Sequence, residues 1–324
     1  MPGGRIKNLL AQHRTAVVFT IIGVIASPIV GIVVTDYISI TPKGLAGLLE
    51  DDKVSVYELA LNITKDSKSK AKVSEFNELR KQFKQPITFE NLDLSNKTLT
   101  RVNLDSVIML HSNLSSANLE KSALDNVQIS GDLSGINLRN ASLYNADLRN
   151  SNLSNAVLKD AYVSDADLTD TLFPGADLTN ANFSYAVLAN ADLRHANLTN
   201  ADLVDTDLQD TDFSHANLTH ANLGYADLTD ADLLSADLTD ADLLSADLTH
   251  AILGHSKLIN ANLNFVDLTK ADLRSSNLTN ATLHLTVLSD SLFDCSSLRT
   301  TNVTINRSQI HIIDSNLNEV SSCD

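Results

Sequence analysis

Carboxylates that recur at a fixed interval are the strongest candidates for chemistry in this sequence. Asp207, Asp227 and Asp247 follow one another at steps of 20 residues. If the chain completes one coil at each such step, these side chains stack in a column. Carboxylate oxygens suit Ca²⁺, so one interpretation is a divalent-cation site or a strip for a basic partner. The interpretation that we favour is that Asp serves turns here by bonding local backbone amides.

Histidine and aromatic residues recur at the same interval. His195 and His215 would be neighbours in another column, but a structural zinc site needs four close ligands, so exposed histidines are favoured. Tyr185, Tyr225 and Phe265 share a third column and are candidates for an exposed aromatic contact patch. The sequence has no nucleophile elbow, P-loop, HExxH or Gly-rich dinucleotide turn. It therefore predicts neither catalysis nor a cofactor.

The charge is strongly negative and unevenly distributed. The formal net charge is −16, and about a dozen Asp but no Lys or Arg lie between residues 202 and 247. Direct nucleic-acid binding is not expected, because phosphate contacts need clustered Lys and Arg. Trp is absent and aromatic residues make up 5% of the chain, which is low for a globular core of this size.

The elements that must position these residues form one internal repeat. From Phe89 an apolar residue returns at every fifth position up to Ile129, the interval then shortens by one residue, and the series resumes at Leu133 and runs to Leu298. A small residue stands two positions before each apolar centre, and Asp or Asn stands directly before it. The unit is A-(D/N)-L-x-x, in its purest form in residues 226–250.

A period of five fits neither a helix nor a flat strand, because their side-chain periods are 3.6 and 2. Four such units would close a square coil, and stacked coils would be about 4.8 Å apart. About eleven coils would give a rod about 50 Å long. The segment Phe173-Pro174-Gly175-Ala176 predicts a type II turn at one corner. The predicted core of about one and a half coils is Leu193, Leu198, Leu203, Leu208, Phe213 and Leu218.

The A-(D/N)-L-x-x pattern resembles the pentapeptide-repeat family over roughly residues 89–303. The resemblance implies an all-β fold, a right-handed quadrilateral β-helix. The family includes membrane-linked scaffolds and DNA-mimicking inhibitors of gyrase, so the resemblance leaves the function open. The sequence departs from the pattern at the short interval after Ile129 and at Lys97, Val102 and Val107, which occupy small sites. We therefore expect the first coils to be wider or kinked.

Residues 15–34 form an uncharged apolar stretch that is long enough to span a bilayer as a helix. Basic residues precede it, so the positive-inside rule predicts a cytoplasmic N-terminus and an exported repeat array. A cleaved signal peptide is the alternative, but the stretch is longer than a usual h-region and Pro28 makes a poor cleavage site. We therefore favour an uncleaved single-pass anchor that contacts the lipid bilayer.

Helical periodicity before the repeats predicts a further element. Val73, Phe76, Leu79 and Phe83 mark one face of a helix, which would either dock a partner or cap the first coil, and a cap is favoured because solenoids need one. The predicted divisions are a basic N-terminus (1–14), a transmembrane helix (15–35), a linker with the cap (36–86), the solenoid (87–305) and a C-terminal cap or tail (306–324).

Cys295 and Cys323 are the two cysteines of the chain, and we favour unpaired thiols over a disulfide between them.

These expectations combine into a non-catalytic, membrane-tethered scaffold that displays a rigid acidic rod to a protein partner outside the cytoplasm. The alternatives are a DNA mimic that inhibits a DNA-binding protein such as gyrase, as the resemblance implies, and a cation-binding acidic rod. A DNA mimic would need a cytoplasmic location, which the predicted anchor opposes.

Overall fold

The computed structural model describes residues 73–74, 76–78, 81, 86–295 and 297, together with the backbone of residues 310–313. From residue 86 to residue 295 the chain winds into a β-solenoid whose successive coils pair in parallel. The strands are β1 (Ile87–Glu90), β2 (Val107–Asn113), β3 (Gln128–Asp132), β4 (Ser291–Asp294) and β5 (Ile310–Ile313). Between β3 and β4 the coils pair through single bridges, one on each side of the coil.

One side of the solenoid shows how the coils stack. Its pairing runs from Thr88 through Ile108 and Gln128 to Asp147, and then from each residue to the one four units later, as far as Val287. These ten steps give eleven layers, in agreement with the number expected from the repeat. The parallel stacking spaces the layers at about 4.8 Å.

The five-residue unit folds as it does because it buries two side chains and then turns. In the unit around Leu193, both Leu193 and the small Ala191 are buried. The turn that follows is closed by the Ala196 amide, which donates to the Leu193 carbonyl at 3.0 Å. Its third residue, His195, has a φ of 58°, as a type II turn requires. The predicted turn at Gly175 has the same geometry, with a φ of 69° and a bond from Ala176 to Phe173.

Hydrogen bonds between neighbouring coils satisfy the backbone. The Leu193 amide donates to the Asp212 carbonyl at 2.7 Å, and the Asp212 amide donates to the Ala191 carbonyl at 3.0 Å. The core residues of the coils meet in one hydrophobic cluster. Its fully buried members include Leu193, Leu198, Leu203, Leu208, Phe213 and Leu218. Where Thr replaces the small Ala, its hydroxyl is also satisfied, as Thr211 shows by donating to the Leu188 carbonyl at 3.0 Å.

The short interval after Ile129 makes one coil a single residue shorter than its neighbours. Met109 pairs with Ile129, whereas Ser112 pairs with Gly131, so the partner strand falls one residue behind across a bulge in β2. Gly131 has a φ of 139°, and a Cβ there would lie 2.1 Å from the Ser112 carbonyl oxygen. The expected kink is therefore a local bulge. Val102 and Val107 are buried at their small sites, and the expected widening of these coils stays a prediction.

A helical segment covers the first coil. Val73 and Phe76 are buried against the solenoid. The Asn77 side chain donates to the Arg101 carbonyl and accepts a hydrogen bond from the Asn103 amide, both at 2.8 Å. These contacts satisfy backbone groups on the open edge of the first coil, as a cap must do. Leu79 and Phe83, the other two residues of the predicted helical face, lie outside the described residues.

At the other end, β4 pairs in parallel with β5, with Ser291 opposite Ile310. Cys295 follows β4 and is in a disulfide, so the expectation of unpaired thiols was wrong for this residue. Cys323 lies outside the described residues. Within the described ranges no helix has the length and apolar character to cross a membrane, and the predicted anchor at 15–34 falls outside those ranges.

Candidate functional site

The candidate site is an edge of the solenoid where acidic columns run side by side. Asp207, Asp227 and Asp247 pair directly with one another in successive coils, so the structure brings these three predicted residues into one column. A second column runs through Asp192, Asp212 and Asp232 on the adjoining side. Two corner aspartates, Asp210 and Asp230, lie between these columns, and Asp267 continues the first column by one layer. We call the whole set the acidic edge: Asp207, Asp227, Asp247, Asp267, Asp210, Asp230, Asp192, Asp212 and Asp232.

Each aspartate of the first column holds its own turn. The Oδ1 atoms of Asp207, Asp227 and Asp247 accept hydrogen bonds from the backbone amides two residues later, at 3.2, 3.0 and 2.9 Å. This is the local Asx geometry that stabilises turns. These bonds agree with the turn interpretation, and they use one oxygen of each carboxylate.

The second oxygen of Asp227 shows how one stacked carboxylate is stabilised. The Gln209 side-chain amide donates to Asp227 Oδ2 in the next coil. Partial burial acts to raise the pKa of Asp227, but the hydrogen bonds from the Thr229 hydroxyl and amide and from Gln209 outweigh it, so its pKa lies below the ordinary value. Because a lowered pKa favours the charged form, Asp227 does not relieve the repulsion by binding a proton.

Arginine offsets the charge at one end of the second column. Arg194 contacts Asp192 at 2.6 Å and Asp212 at 3.5 Å. The guanidinium of Arg194, as the main cause, holds the pKa of Asp192 below its usual value. The same arrangement recurs at Asp147 with Arg149 and at Asp272 with Arg274. Sequence reasoning missed these clamps, although the triplet Asp-Leu-Arg marks all three.

The structure does not assemble a metal site from the predicted ligands. In the described part of the chain, no group of three or more His, Cys, Asp or Glu side chains is placed to hold a metal ion. His195 and His215 do meet, with ring centroids 5.0 Å apart and planes inclined by 6°. Parallel rings direct their nitrogen lone pairs into separate planes, so the two imidazoles cannot converge on one ion. They form an exposed stack.

The family model for pentapeptide repeats matches the chain in eight copies, which cover residues 87–127, 132–254 and 256–294. The matched residues are more than half of the sequence and coincide with the coils described above. The chain belongs to the pentapeptide repeat family. The gap between residues 127 and 132 falls on the shortened coil, where the conformation of Gly131 allows the coil to close with one residue fewer.

This pentapeptide-repeat protein is similar to three solved structures. HetL, a pentapeptide repeat protein involved in heterocyst differentiation regulation in the cyanobacterium Nostoc sp. strain PCC 7120, is 32% identical over 65% of this chain and 91% of HetL, with a TM-score of 0.36. QnrB1, a plasmid-mediated fluoroquinolone resistance protein, is 20% identical over 61% of this chain and 89% of QnrB1, with a TM-score of 0.41.

The third structure is AT2G44920, a pentapeptide repeat protein from the Arabidopsis thaliana thylakoid lumen. It is 22% identical over 44% of this chain and 70% of its own, with a TM-score of 0.16. All three TM-scores are below 0.5, so the family assignment rests on the repeat match. No curated protein matches the chain in sequence.

The aromatic column of this pentapeptide-repeat protein lies at the corner next to the first acidic column. The side chains of Tyr185, Tyr225 and Phe265 are 59%, 58% and 50% exposed. Leu285 continues the column and is also exposed, a member that sequence reasoning missed although it follows Phe265 by one further coil.

A second aromatic contact was also missed. The rings of Tyr144 and Tyr162 stack across neighbouring coils, with centroids 6.2 Å apart. The available signal was their position in the repeat, because Tyr144 comes just after one apolar centre and Tyr162 comes just before the centre that stacks on it in the next coil.

Proposed function

We propose that this protein is a non-catalytic scaffold whose acidic edge binds a basic segment of a protein partner. Seven of the nine carboxylates of the acidic edge, all except those of Asp210 and Asp230, accept backbone hydrogen bonds on a regular ladder. No Lys or Arg lies between residues 202 and 247. A fixed array of one sign of charge steers an oppositely charged partner and sets its register. The carboxylates also do not have to be reordered on binding, which lowers the cost of association.

The absence of converging groups supports the non-catalytic part of the proposal. In the described coils the acidic side chains point outward along a regular surface and are engaged in turns and arginine clamps. An active site brings several reactive groups together in a concave pocket. A ladder that repeats one group at each layer offers a partner a strip to contact.

A photocrosslinking experiment tests the acidic edge. A photoreactive residue replaces Thr229, which follows the first acidic column, and in a matched variant it replaces Thr239, the equivalent position on another side of the rod. Ultraviolet light is applied to cells that express the full chain. We expect one defined adduct from position 229, a much weaker one from 239, and loss of the first at high salt because surface ion pairs are screened.

The charge dependence is tested by adding Asp207→Asn, Asp227→Asn and Asp247→Asn together. Asn preserves the turns, since Asn197 and Asn217 accept the same backbone hydrogen bond as the aspartates. The adduct at 229 should disappear while the fold is kept. An equal adduct with and without the three carboxylates would show that the acidic edge is not the binding surface.

The tether is the second part of the proposal. We propose that residues 15–34 anchor the protein in a membrane with the N-terminus in the cytoplasm and the solenoid outside, because the stretch is uncharged and basic residues precede it. C-terminal fusions to alkaline phosphatase and to a cytoplasmic fluorophore distinguish the two orientations. Phosphatase activity alone is expected. Fluorescence alone would refute export and would favour the DNA mimic, which would then be tested by inhibition of gyrase supercoiling.

A further inference from the structure

The corner that carries the exposed aromatic residues has a period of its own. Tyr185, Tyr225 and Phe265 are separated from one another by two coils, and the intervening layers carry Asp205 and Ser245. We call these five residues the aromatic ridge. The three rings are therefore about 9.6 Å apart along the axis, twice the spacing of stacked strands.

The three rings are also presented in the same way. Each aromatic residue is the third residue of its turn and has a left-handed backbone conformation, with a φ of 62° in all three. At least half of each side chain is exposed. Within the described residues neither tyrosine hydroxyl forms a hydrogen bond, so both remain available to a ligand. The turns are anchored between coils, as the bond from the Tyr225 amide to the Leu244 carbonyl at 2.9 Å shows. The backbone therefore fixes the spacing of the rings before any ligand binds.

The surroundings of the ridge are rich in hydrogen-bonding groups, and the two adjoining sides carry no Lys or Arg in the layers of Tyr185 to Phe265. The outward residues of the adjoining side in the same layers are Asn182, Ser184, Asp202, Val204, Asn222, Gly224, Asp242, Leu244, Asn262 and Asn264. On the other flank lies the first acidic column, with Asp207 and Asp227. Amides, hydroxyls and carboxylates next to rings can bond the hydroxyl groups of a ligand that stacks on those rings.

We propose that the aromatic ridge binds an extended β-1,4-linked glycan that runs along the rod. In such a chain every second sugar presents the same face and edge, and the disaccharide repeat is close to the two-coil rise. A pyranose ring offers a flat face of C–H groups to an aromatic ring, while its equatorial hydroxyls point to the sides. Each ring would stack with one sugar, and Asp205 and Ser245 would bond the sugars between. This surface is separate from the protein-binding acidic edge, so the inference goes beyond the proposed function.

Two kinds of peptide fit the ridge less well. An extended β-strand peptide repeats its side chains every two residues, at about 6.6 Å, which does not match the wider spacing of the rings. A polyproline helix repeats at about 9.3 Å, but its recognition uses grooves lined by aromatic residues. The ridge lies on a convex corner, where its rings are half or more exposed. Phe265 meets the His284 ring in a T-shaped contact with centroids 5.7 Å apart, and an exposed ring face suits the flat face of a sugar.

Calorimetry with the full chain, in a detergent that has no sugar headgroup, tests the proposal. The probes are cellohexaose and chitohexaose, which share the linkage and differ in the acetamido group. The test variant carries Tyr185→Asn, Tyr225→Asn and Phe265→Asn. Asn should be tolerated there, because Asn180 and Asn200 have the same left-handed conformation at the equivalent turn position of another corner. The matched control carries His195→Asn, His215→Asn and His255→Asn at another corner. We expect at least one probe to bind, and the test variant but not the control to lose affinity by about tenfold or more.

A second variant tests the spacing and not merely the presence of rings. Asp205→Tyr with Tyr225→Asn keeps three rings but places them in layers that are one and three coils apart. We expect it to bind more weakly than the natural chain, because the ring at position 205 lies out of step with the disaccharide repeat and only Tyr185 and Phe265 keep a matching spacing. Failure of both glycans to bind the natural chain at millimolar concentration would overturn the proposal, as would full affinity of the respaced variant. Ring-dependent binding of a decaproline peptide without glycan binding would assign the ridge to a peptide instead.

Discussion

Gly131→Ala should detach the first coils from the rest of the rod. A Cβ on Gly131 would lie 2.1 Å from the Ser112 carbonyl oxygen and 2.9 Å from its amide nitrogen. These are backbone atoms, so relief requires the two coils to separate locally. The movement would also disturb the bond from the Asn152 amide to the Gly131 carbonyl at 3.0 Å. The φ of 139° at Gly131 adds strain for any residue with a side chain.

The magnitude follows from these two effects. Backbone strain of this kind costs about 1–3 kcal/mol, and a buried backbone hydrogen bond left unmade costs about 1–3 kcal/mol. We therefore expect a loss of about 2–6 kcal/mol at the junction between the coils. In a solenoid each coil contacts only its neighbours, so the loss should be local. Residues 87–126 should open while the coils after residue 133 stay folded.

Hydrogen exchange measured by mass spectrometry checks this prediction. The amides of Leu114 and Leu119, which donate to Asp132 and Asn137 across the junction, should exchange faster by two or more orders of magnitude, the equivalent of about 3 kcal/mol. The Leu208 and Leu228 amides should be unchanged. Urea unfolding should become two-step.

Gly135→Asn is the matched control for Gly131→Ala. Gly135 has a φ of 64°, which Asn adopts at other corners, and its Cβ would meet only the flexible Ser116 Oγ at 3.3 Å. It should change stability by less than about 1 kcal/mol. Normal protection across the junction in Gly131→Ala would refute the argument that the shortened coil depends on glycine.

The core, the clamps and the disulfide each give a further prediction. Leu208→Ala removes a fully buried side chain and should lower the unfolding free energy by about 2–5 kcal/mol, seen as a lower urea midpoint. Because the pKa of Asp192 is lowered in the folded state, the unfolded state binds more protons in acid. The stabilisation is present above about pH 4 and is lost as the pH falls through the folded pKa, so Arg194→Gln should raise the pH midpoint of acid unfolding measured by circular dichroism. Unreduced protein that is unfolded in urea should show no maleimide-reactive thiol, and reduced protein should show two, because Cys295 is in a disulfide and the chain has two cysteines.

The fold was predictable from the sequence because a period of five with two inward positions has few solutions. The core around Leu193 and the Asx turns at Asp227 both follow from the unit alone. What the sequence did not reveal is that the left-handed conformation extends to every corner, including Tyr185, Lys270 and Leu285, whose φ values lie between 55° and 62°. Bulky residues avoid this conformation in isolation. Here the hydrogen bonds between coils outweigh the local preference.

The candidate site was only partly predictable for a related reason. The spacing of four units places Asp207, Asp227 and Asp247 in one column, and this needs no coordinates once the coil is known. Whether those carboxylates converge on an ion depends on where their second oxygens point, and the repeat does not encode that. The arginine clamp at Asp192 also required coordinates, because Arg194 contacts a residue of its own layer and one of the next.

The five positions of the repeat unit differ in how strongly the fold constrains them. The apolar centre and the small residue are buried, and the Asp or Asn before the centre is engaged in its turn, so three of the five positions serve the fold. The side chain of the corner residue is neither buried nor needed for the turn, because backbone hydrogen bonds set the conformation of the corner. At this position the chain carries His195, Tyr225, Asp230 and Lys270, a wider range than at any buried position. Differences between corner columns therefore distinguish one side of the rod from another. Corner side chains such as Tyr225 and Asp230 add this variation to the regular column of carboxylates before the apolar centres.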